Sequence, residues 1–247
     1  MQSITAATGA ILESQRKDVV FWDTWNSQYR QPEALDEPSK RRMREVVESL
    51  SRVGVRGAKI LEIGCGTGWL SAKLKDFGPV TAVDLAVEVI RAAKSRVPEI
   101  DFRSGDVFEL QLPIGSFDVV VTLETLSHVS DQAKFVCRIS ELLKRGGYLV
   151  LTTQNKFVFD RRGDVVQNPR YIRKWVTMRT LKQLLAPQFC ILRATSLEPE
   201  GYCGVLRIIN SHKLTRTLEL AMGRSLLKRL KECAGLGQTL FLIAVKR

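Results

Sequence analysis

The chain has 247 residues, 45% hydrophobic and 26% charged, a balance that describes a globular domain with a substantial core and argues against general disorder. Its apolar runs, such as Phe117 to Leu123 and Tyr148 to Leu151, stop well short of the ~18 residues of a membrane span. The net charge of +12 is regional: residues 1–154 hold 20 Lys+Arg and 20 Asp+Glu, whereas residues 155–247 hold 18 and 6.

A basic last third suits an anionic substrate, nucleic acid or an acidic membrane surface, or it is simply a solvated face. The N-terminal stretch MQSITAATGAILESQRKD lacks a basic segment followed by an apolar core, so no secretory leader is expected. Cys65, Cys137, Cys190, Cys203 and Cys233 are dispersed, odd in number and without a CxxC pair. They fit a reducing, cytoplasmic setting better than a disulfide framework or a zinc site.

In chain order, residues 1–57 form an expected N-terminal helical cap. It carries the aromatic cluster Phe21 to Arg30 and then a charged helix from Pro38 to Ser51. Trp22 and Tyr29 are read either as parts of a lid facing an acceptor or as packing that fixes a helix to a sheet. From Ala58, short apolar runs alternate with amphipathic stretches, the pattern of a parallel sheet with crossover helices. Strands are predicted at Lys59–Ile63, Pro79–Asp84, Ile100–Arg103, Phe117–Leu123, Gly147–Thr153, Phe189–Ser196 and Thr239–Val245, and helices at Leu70–Phe77, Ala86–Val97 and Asp131–Lys144. Gly146-Gly147 is read as the stop of that last helix. Residues 154–247 then carry two insertions. One is the basic connection from Gln154 to Arg173, with a helix near Thr177–Leu185. The other runs from Glu198 to Gly237 and contains one predicted basic amphipathic helix, Leu214–Leu230. The apolar phrase Gly201 to Asn210 is expected to pack, to wall an acceptor pocket or to extend the sheet.

The first strand ends in Gly64-Cys65-Gly66-Thr67-Gly68, a turn whose glycines let backbone approach a ligand closely. A dinucleotide turn needs a third glycine where this chain has Trp69, and the Lys-Ser/Thr of a P-loop is missing. Asp84 ends the second strand twenty residues after Gly64, placed to accept from a ribose diol, which suits NAD and S-adenosylmethionine alike. Asp106 follows the third strand, where an acid can accept from an adenine amine, and only the second ligand uses it.

With Leu61 to Gly68, Val83-Asp84, Gly105-Asp106, Phe117 to Val120 and Leu142 to Leu149 in order, the segment from Ala58 to Thr153 resembles the class I S-adenosylmethionine-dependent methyltransferases. It is similar above all to the group containing the ubiquinone-pathway O-methyltransferases. The resemblance implies an α/β, Rossmann-like sheet of seven strands in the order 3-2-1-4-5-7-6, flanked by helices, within a single domain. It implies S-adenosylmethionine as donor and S-adenosylhomocysteine as product. Carried over by position, Gly64 and Gly66 approach the methionine end, Asp84 takes the ribose, Leu85 packs on adenine, and Asp106 with Val107 reads its edge. Leu123 joins the donor site, and Glu62 supports the glycine turn or reaches the amino group through water. Asp118, at the start of strand 4, is read as structural.

Methyl transfer to a hydroxyl needs alignment and a base for the proton. His128, in Glu124-Thr125-Leu126-Ser127-His128 directly after strand 4, is the candidate base or a positioning residue. His212 has no partner motif. The matching family segment often reads Glu-x-x-Glu-His and holds a divalent metal; here Ser127 replaces the second acid, so no metal is expected. Arg161, Arg162 and Arg173 are candidates for holding an anionic acceptor. The expected activity is O-methylation of a small phenolic, quinone-like, sugar or natural-product acceptor. The alternatives are an RNA methyltransferase, which the 7% aromatic content disfavours, and a non-catalytic S-adenosylmethionine-binding protein.

Overall fold

The computed structural model describes residues 19–26, 28, 35–161, 173–199 and 204–247. Two compact units result, residues 1–112 and 113–247. The seven strands form one sheet in the order β3-β2-β1-β4-β5-β7-β6, as expected, with β7 antiparallel to both of its neighbours.

In the first unit, helical residues 19–26 (α1) precede α2 (Glu37–Arg52). Asp36 starts α2 by accepting from Ser39 N at 2.8 Å, Pro38 sits in its first turn, and Val46 and Leu50 turn its apolar stripe into the core. β1 (Ile60–Ile63), β2 (Val80–Asp84) and β3 (Asp101–Ser104) pair in parallel, with Ile63 beside Val83 and Asp84 beside Ser104. All four residues of β1, Glu62 among them, are buried, so the strand is covered on both faces rather than alternating between core and solvent. α3 (Ser71–Leu74), continued by a 3₁₀ turn to Phe77, connects β1 to β2, and α4 (Val87–Arg96) connects β2 to β3.

The second unit opens with β4 (Phe117–Leu123), α5 (Gln132–Leu142) and β5 (Leu143–Gln154). Here the sequence expectation needs correction. Helix α5 ends at Leu142, before Gly146-Gly147, and β5 begins at once with Leu143. Register shifts from Phe117 opposite Leu143 to Val119 opposite Tyr148, so the glycines lie in a bulge. Gly146 has φ 76°, and a Cβ on Gly147 would lie 2.9 Å from Lys144 O and 3.1 Å from Asp118 O. The glycines are needed by the strand, not by the helix end. Asp118 pairs with Lys144 Nζ at 2.5 Å, in keeping with a structural role.

After β5 come α6 (Lys156–Phe159), α7 (Met178–Leu185), β6 (Phe189–Pro199), α8 (Val205–Ile209), α9 (His212–Met222), α10 (Arg224–Cys233) and β7 (Gly237–Lys246). The single helix expected over Leu214–Leu230 is two, because Gly223 at φ 81° caps α9 in a conformation that an L side chain rarely adopts. The apolar phrase Gly201 to Asn210 contains α8, with Leu206 buried; its residues 201–203 lie outside the described residues.

Candidate functional site

In the first unit, the carboxyl ends of three parallel strands are held in step. Gly64 N and Cys65 N both donate to Val83 O, at 2.8 and 3.1 Å, and Gly105 N donates to Asp84 O at 2.9 Å. The glycine turn, Asp84-Leu85 and Asp106-Val107 therefore end on one edge of the unit. Gly64, Gly66 and Gly68 have φ of 76°, 51° and 76°, so the turn requires glycine at each.

Gly66 N donates to Asp84 Oδ2 at 2.7 Å, and Ala86 N donates to Asp84 Oδ1 at 2.9 Å. A carboxylate offers about four acceptor positions. The bond from Gly66 N holds the turn against β2, and the one from Ala86 N starts the chain into α4. Burial pushes the Asp84 carboxyl up from its ordinary range, against the pull of the backbone N–H groups of Ala86, Gly66 and Leu85, and the charge of Asp23 raises it further. Asp106 accepts from Phe108 N at 2.9 Å through Oδ1 and caps its own turn; Val107 is buried and Leu85 half-buried. The donor set fits the ribose and adenine of S-adenosylmethionine.

Several supports had no mark in the local pattern. Asp23 Oδ1, on α1, accepts from Glu88 N and Val89 N at 3.0 and 3.1 Å. It supplies the cap that Ala86, the residue at the start of α4, does not make with its own side chain. Asn26 is buried beside the turn, where a Cβ on Gly66 would lie 2.8 Å from its Oδ1. Arg96 Nη2, in the last turn of α4, donates to Thr67 O at 2.7 Å. A Cβ on Gly68 would lie 2.7 Å from the Phe102 ring, so the third glycine serves close packing against β3.

Glu62 lies inside, bonded to Ser71 Oγ at the start of α3. Burial raises its pKa to about 8, the Ser71 hydroxyl opposes that rise, and the charge of Asp84 adds to it. Its place is thus behind the glycine turn. Burial, helped by Asp84 and Glu62, also pushes the Cys65 thiol well up, which keeps it protonated and unreactive.

One consequence is a pH dependence. Between the ordinary value near 4.5 and about 8 the folded chain holds the Glu62 proton while the unfolded chain has released it, so stability falls as pH rises through that window. At about 1.4 kcal/mol per pH unit the loss is of the order of a few kcal/mol. Glu62→Gln is expected to flatten this fall and to raise the melting temperature above pH 7. Thermal unfolding of both forms from pH 5 to about 8.5 tests it, and parallel pH curves would refute it.

In the second unit, Leu123 is half-buried at the end of β4. Glu124 follows with φ 58°, rare for a residue with a side chain, and is held there by two bonds to β5. Its N donates to Thr152 O at 3.0 Å and its Oε1 accepts from Thr152 Oγ1 at 2.8 Å. Ser127 is buried and its hydroxyl donates to Gln154 Oε1. His128, half-buried, ends the short 3₁₀ turn Leu126–His128. Among the described residues, no group of three or more His, Cys, Asp and Glu is arranged to hold a metal ion.

The end of the basic connection is fastened to this turn. Lys174 N donates to Ser127 O at 2.7 Å, Lys174 Nζ to Ser130 O at 2.6 Å, and Gln132 Nε2 bridges Leu126 O and Lys174 O. Arg173 is therefore carried to the segment that bears His128, and burial lowers its pKa. Arg161 is engaged otherwise: Nη1 donates to Phe157 O at 2.9 Å and its guanidinium lies 4.2 Å from the centre of the Phe157 ring. Trp22 meets Phe21 edge to face, with centroids 4.9 Å apart. Tyr29 and Arg162 lie outside the described residues.

Comparison with known proteins bears on the same segments. Residues 61–151 match the model of the methyltransferase domain family. A probable S-adenosylmethionine-dependent methyltransferase of Mycolicibacterium smegmatis is 33% identical over 134 residues, 54% of this chain and 52% of that protein. A ubiquinone biosynthesis O-methyltransferase of Xanthomonas campestris pv. campestris is 40% identical over 113 residues, 43% of this chain and 47% of that protein. The chain thus spans about half the length of these curated relatives. Among solved structures, an S-adenosylmethionine-dependent methyltransferase of Mesorhizobium loti matches with a TM-score of 0.58 at 20% identity, over 81% of this chain and 96% of that one, a likeness of fold.

Proposed function

We propose, from the premise that this chain belongs to the class I S-adenosylmethionine-dependent methyltransferase family, that it methylates a hydroxyl oxygen of a small acceptor of phenolic, quinone-like, sugar or natural-product type. S-adenosylmethionine supplies a methyl group on a positively charged sulfur. The acceptor oxygen forms the new C–O bond with its lone pair as the C–S bond breaks and its electron pair returns to sulfur. The hydroxyl proton passes to the His128 imidazole.

In this reading Gly64 and Gly66 let the methionine end approach the backbone, Asp84 holds the ribose, and Leu85, Asp106 and Val107 bind the adenine. The observation that carries it is the Gly66 N to Asp84 bond at 2.7 Å, which locks the glycine turn to a carboxylate that keeps acceptor capacity for a ribose hydroxyl. Arg173, brought to the His128 segment by the Lys174 N to Ser127 O bond, is the group for an anionic acceptor.

The decisive experiment is incubation with labelled S-adenosylmethionine, once with a panel of small phenols, quinols and sugars and once with total RNA, followed by mass spectrometry of the product. Label on a small oxygen acceptor supports the proposal. Label confined to RNA selects the other reading that the basic last third favours, and donor binding with no labelled product selects a non-catalytic protein. Arg173→Gln is expected to raise KM about tenfold for an acceptor bearing a carboxylate or phosphate, and to leave a neutral analogue unaffected. Equal effects on both acceptors would remove Arg173 from acceptor recognition.

A further inference from the structure

Helices α8 to α10, between β6 and β7, take no part in the donor cradle or in the turn that bears His128. One side of α10 is fixed to the protein. Leu227 is buried, Ser196 Oγ donates to Glu232 O at 2.7 Å, and Lys231 Nζ reaches Asn210 Oδ1 at 3.1 Å and Thr215 Oγ1 at 3.4 Å. Leu226 and Leu230, one helical turn apart, are each 50% exposed, while Leu220 on α9 is 83% and Ile208 on α8 66% exposed. With Leu214, these are half of the ten large apolar side chains most exposed among the described residues, gathered between residues 208 and 230. A soluble surface normally scatters such residues singly.

Cations accompany them. Lys213, Arg216, Arg224, Lys228 and Arg229 are exposed along the same helices, and the acids are few: Glu219, 3.9 Å from Arg224, and the buried Glu232, 4.0 Å from Lys228. Leucines that protrude among lysines and arginines match a surface with anions outside and hydrocarbon beneath, the boundary of an anionic bilayer.

A second copy of the chain fits poorly, since a two-fold contact would set this cationic patch against itself. RNA also fits poorly, because residues 204–233 contain no Phe, Tyr or Trp on which a base could stack. No helix among the described residues is long and apolar enough to cross a membrane, so the contact is one that lies on the surface.

We propose that α8 to α10 form a docking face for anionic phospholipid bilayers, with Leu220, Leu226 and Leu230 entering below the headgroups and Arg216, Arg224 and Arg229 contacting phosphates. The test is co-sedimentation of the full chain with vesicles of phosphatidylglycerol and phosphatidylcholine, against vesicles of phosphatidylcholine alone, at low salt and at about 0.5 M salt.

The expected result is binding to the anionic vesicles, at least tenfold weaker without the anionic lipid, and weakened by salt. The triple variant Leu220→Ser, Leu226→Ser, Leu230→Ser should lose at least tenfold in binding while its thermal unfolding and donor affinity stay as in the wild type. Arg216→Gln, Arg224→Gln, Arg229→Gln should remove most of the salt dependence. The proposal is overturned if wild type does not bind the anionic vesicles, or if the leucine variant binds them equally. It is likewise overturned if the leucine variant abolishes a concentration-dependent dimer or RNA binding in the absence of vesicle binding.

Discussion

Asp84→Ala is expected to weaken S-adenosylmethionine binding by about 10- to 100-fold, the loss that follows when hydrogen bonds worth roughly 1.5–3 kcal/mol to a charged group are removed from a buried place. Two effects combine in that number. The carboxylate is proposed to receive the ribose hydroxyls, and it also receives Gly66 N and Ala86 N at 2.7 and 2.9 Å, so its removal frees the glycine turn. Asp84→Asn separates them. An amide keeps one oxygen acceptor, which can serve one of the two backbone donors, but presents an N–H pair where the other acceptor stood. The asparagine variant should therefore melt closer to the wild type than the alanine variant does, yet bind the donor nearly as weakly. Calorimetric titration with S-adenosylmethionine, beside thermal unfolding of each variant, measures both quantities. Wild-type affinity in Asp84→Ala would remove Asp84 from the donor site, whatever happened to stability.

The second large effect is expected at His128. As a base for an acceptor hydroxyl it contributes on the order of 10²- to 10⁴-fold, so His128→Ala should lower kcat by that factor and leave the donor dissociation constant within about twofold. The pH profile carries the more telling evidence. Wild type should lose activity toward acid as the imidazole takes a proton, and that limb should vanish in the variant. Steady-state rates from pH 5.5 to about 9 with an active acceptor provide the measurement. A variant that keeps the acid limb, or loses donor affinity as much as turnover, would show His128 to be a residue that shapes the turn. The short 3₁₀ segment is well tied without its imidazole, through Ser127 Oγ to Gln154 and Lys174 N to Ser127 O, so loss of the ring should leave the backbone in place.

The absence of the second acid from the Glu124-x-x-Ser127-His128 segment acquires a physical meaning in the fold. Ser127 is buried and its hydroxyl is spent on Gln154, while Glu124 Oε1 is bonded to Thr152. These two positions brace the end of β4 against β5. The positive φ of Glu124 is a local strain that the two Thr152 bonds offset.

What could be read along the chain, and what could not, divides by the range of the interactions. The seven strands, the glycine turn and the acids after β2 and β3 were legible in sequence because each is written in neighbouring residues, while the strand order came from the family resemblance. β1 sets Ile60, Leu61 and Ile63 in a buried run, and Gly64, Gly66 and Gly68 declare a turn that side chains would block. Misreadings arose where two local signals coincided. Gly146-Gly147 looks like a helix stop, but pairing with β4 starts at Leu143 and turns the glycines into a bulge, a matter of register that no single segment contains.

Other supports, in each of the two units, are made by residues far apart in the chain. Asp23 caps α4 through Glu88 N, 65 residues later, Arg96 holds the carbonyl of Thr67, and Lys174 ties the basic connection to Ser127. None of these contacts has a period, a spacing or a composition of its own, since each needs only one group delivered by the fold to a backbone partner distant in the chain. The sequence by itself therefore determined the strands and the glycine turn, and its family resemblance their order. Tertiary structure alone decided that Glu62 is buried against Ser71, that Lys174 fastens the basic connection to Ser127 while Arg161 bonds to its own helical turn, and that Leu220, Leu226 and Leu230 face outward while Leu206 and Leu227 are buried. Burial and long-range hydrogen bonds select among side chains that are chemically equivalent in the linear chain.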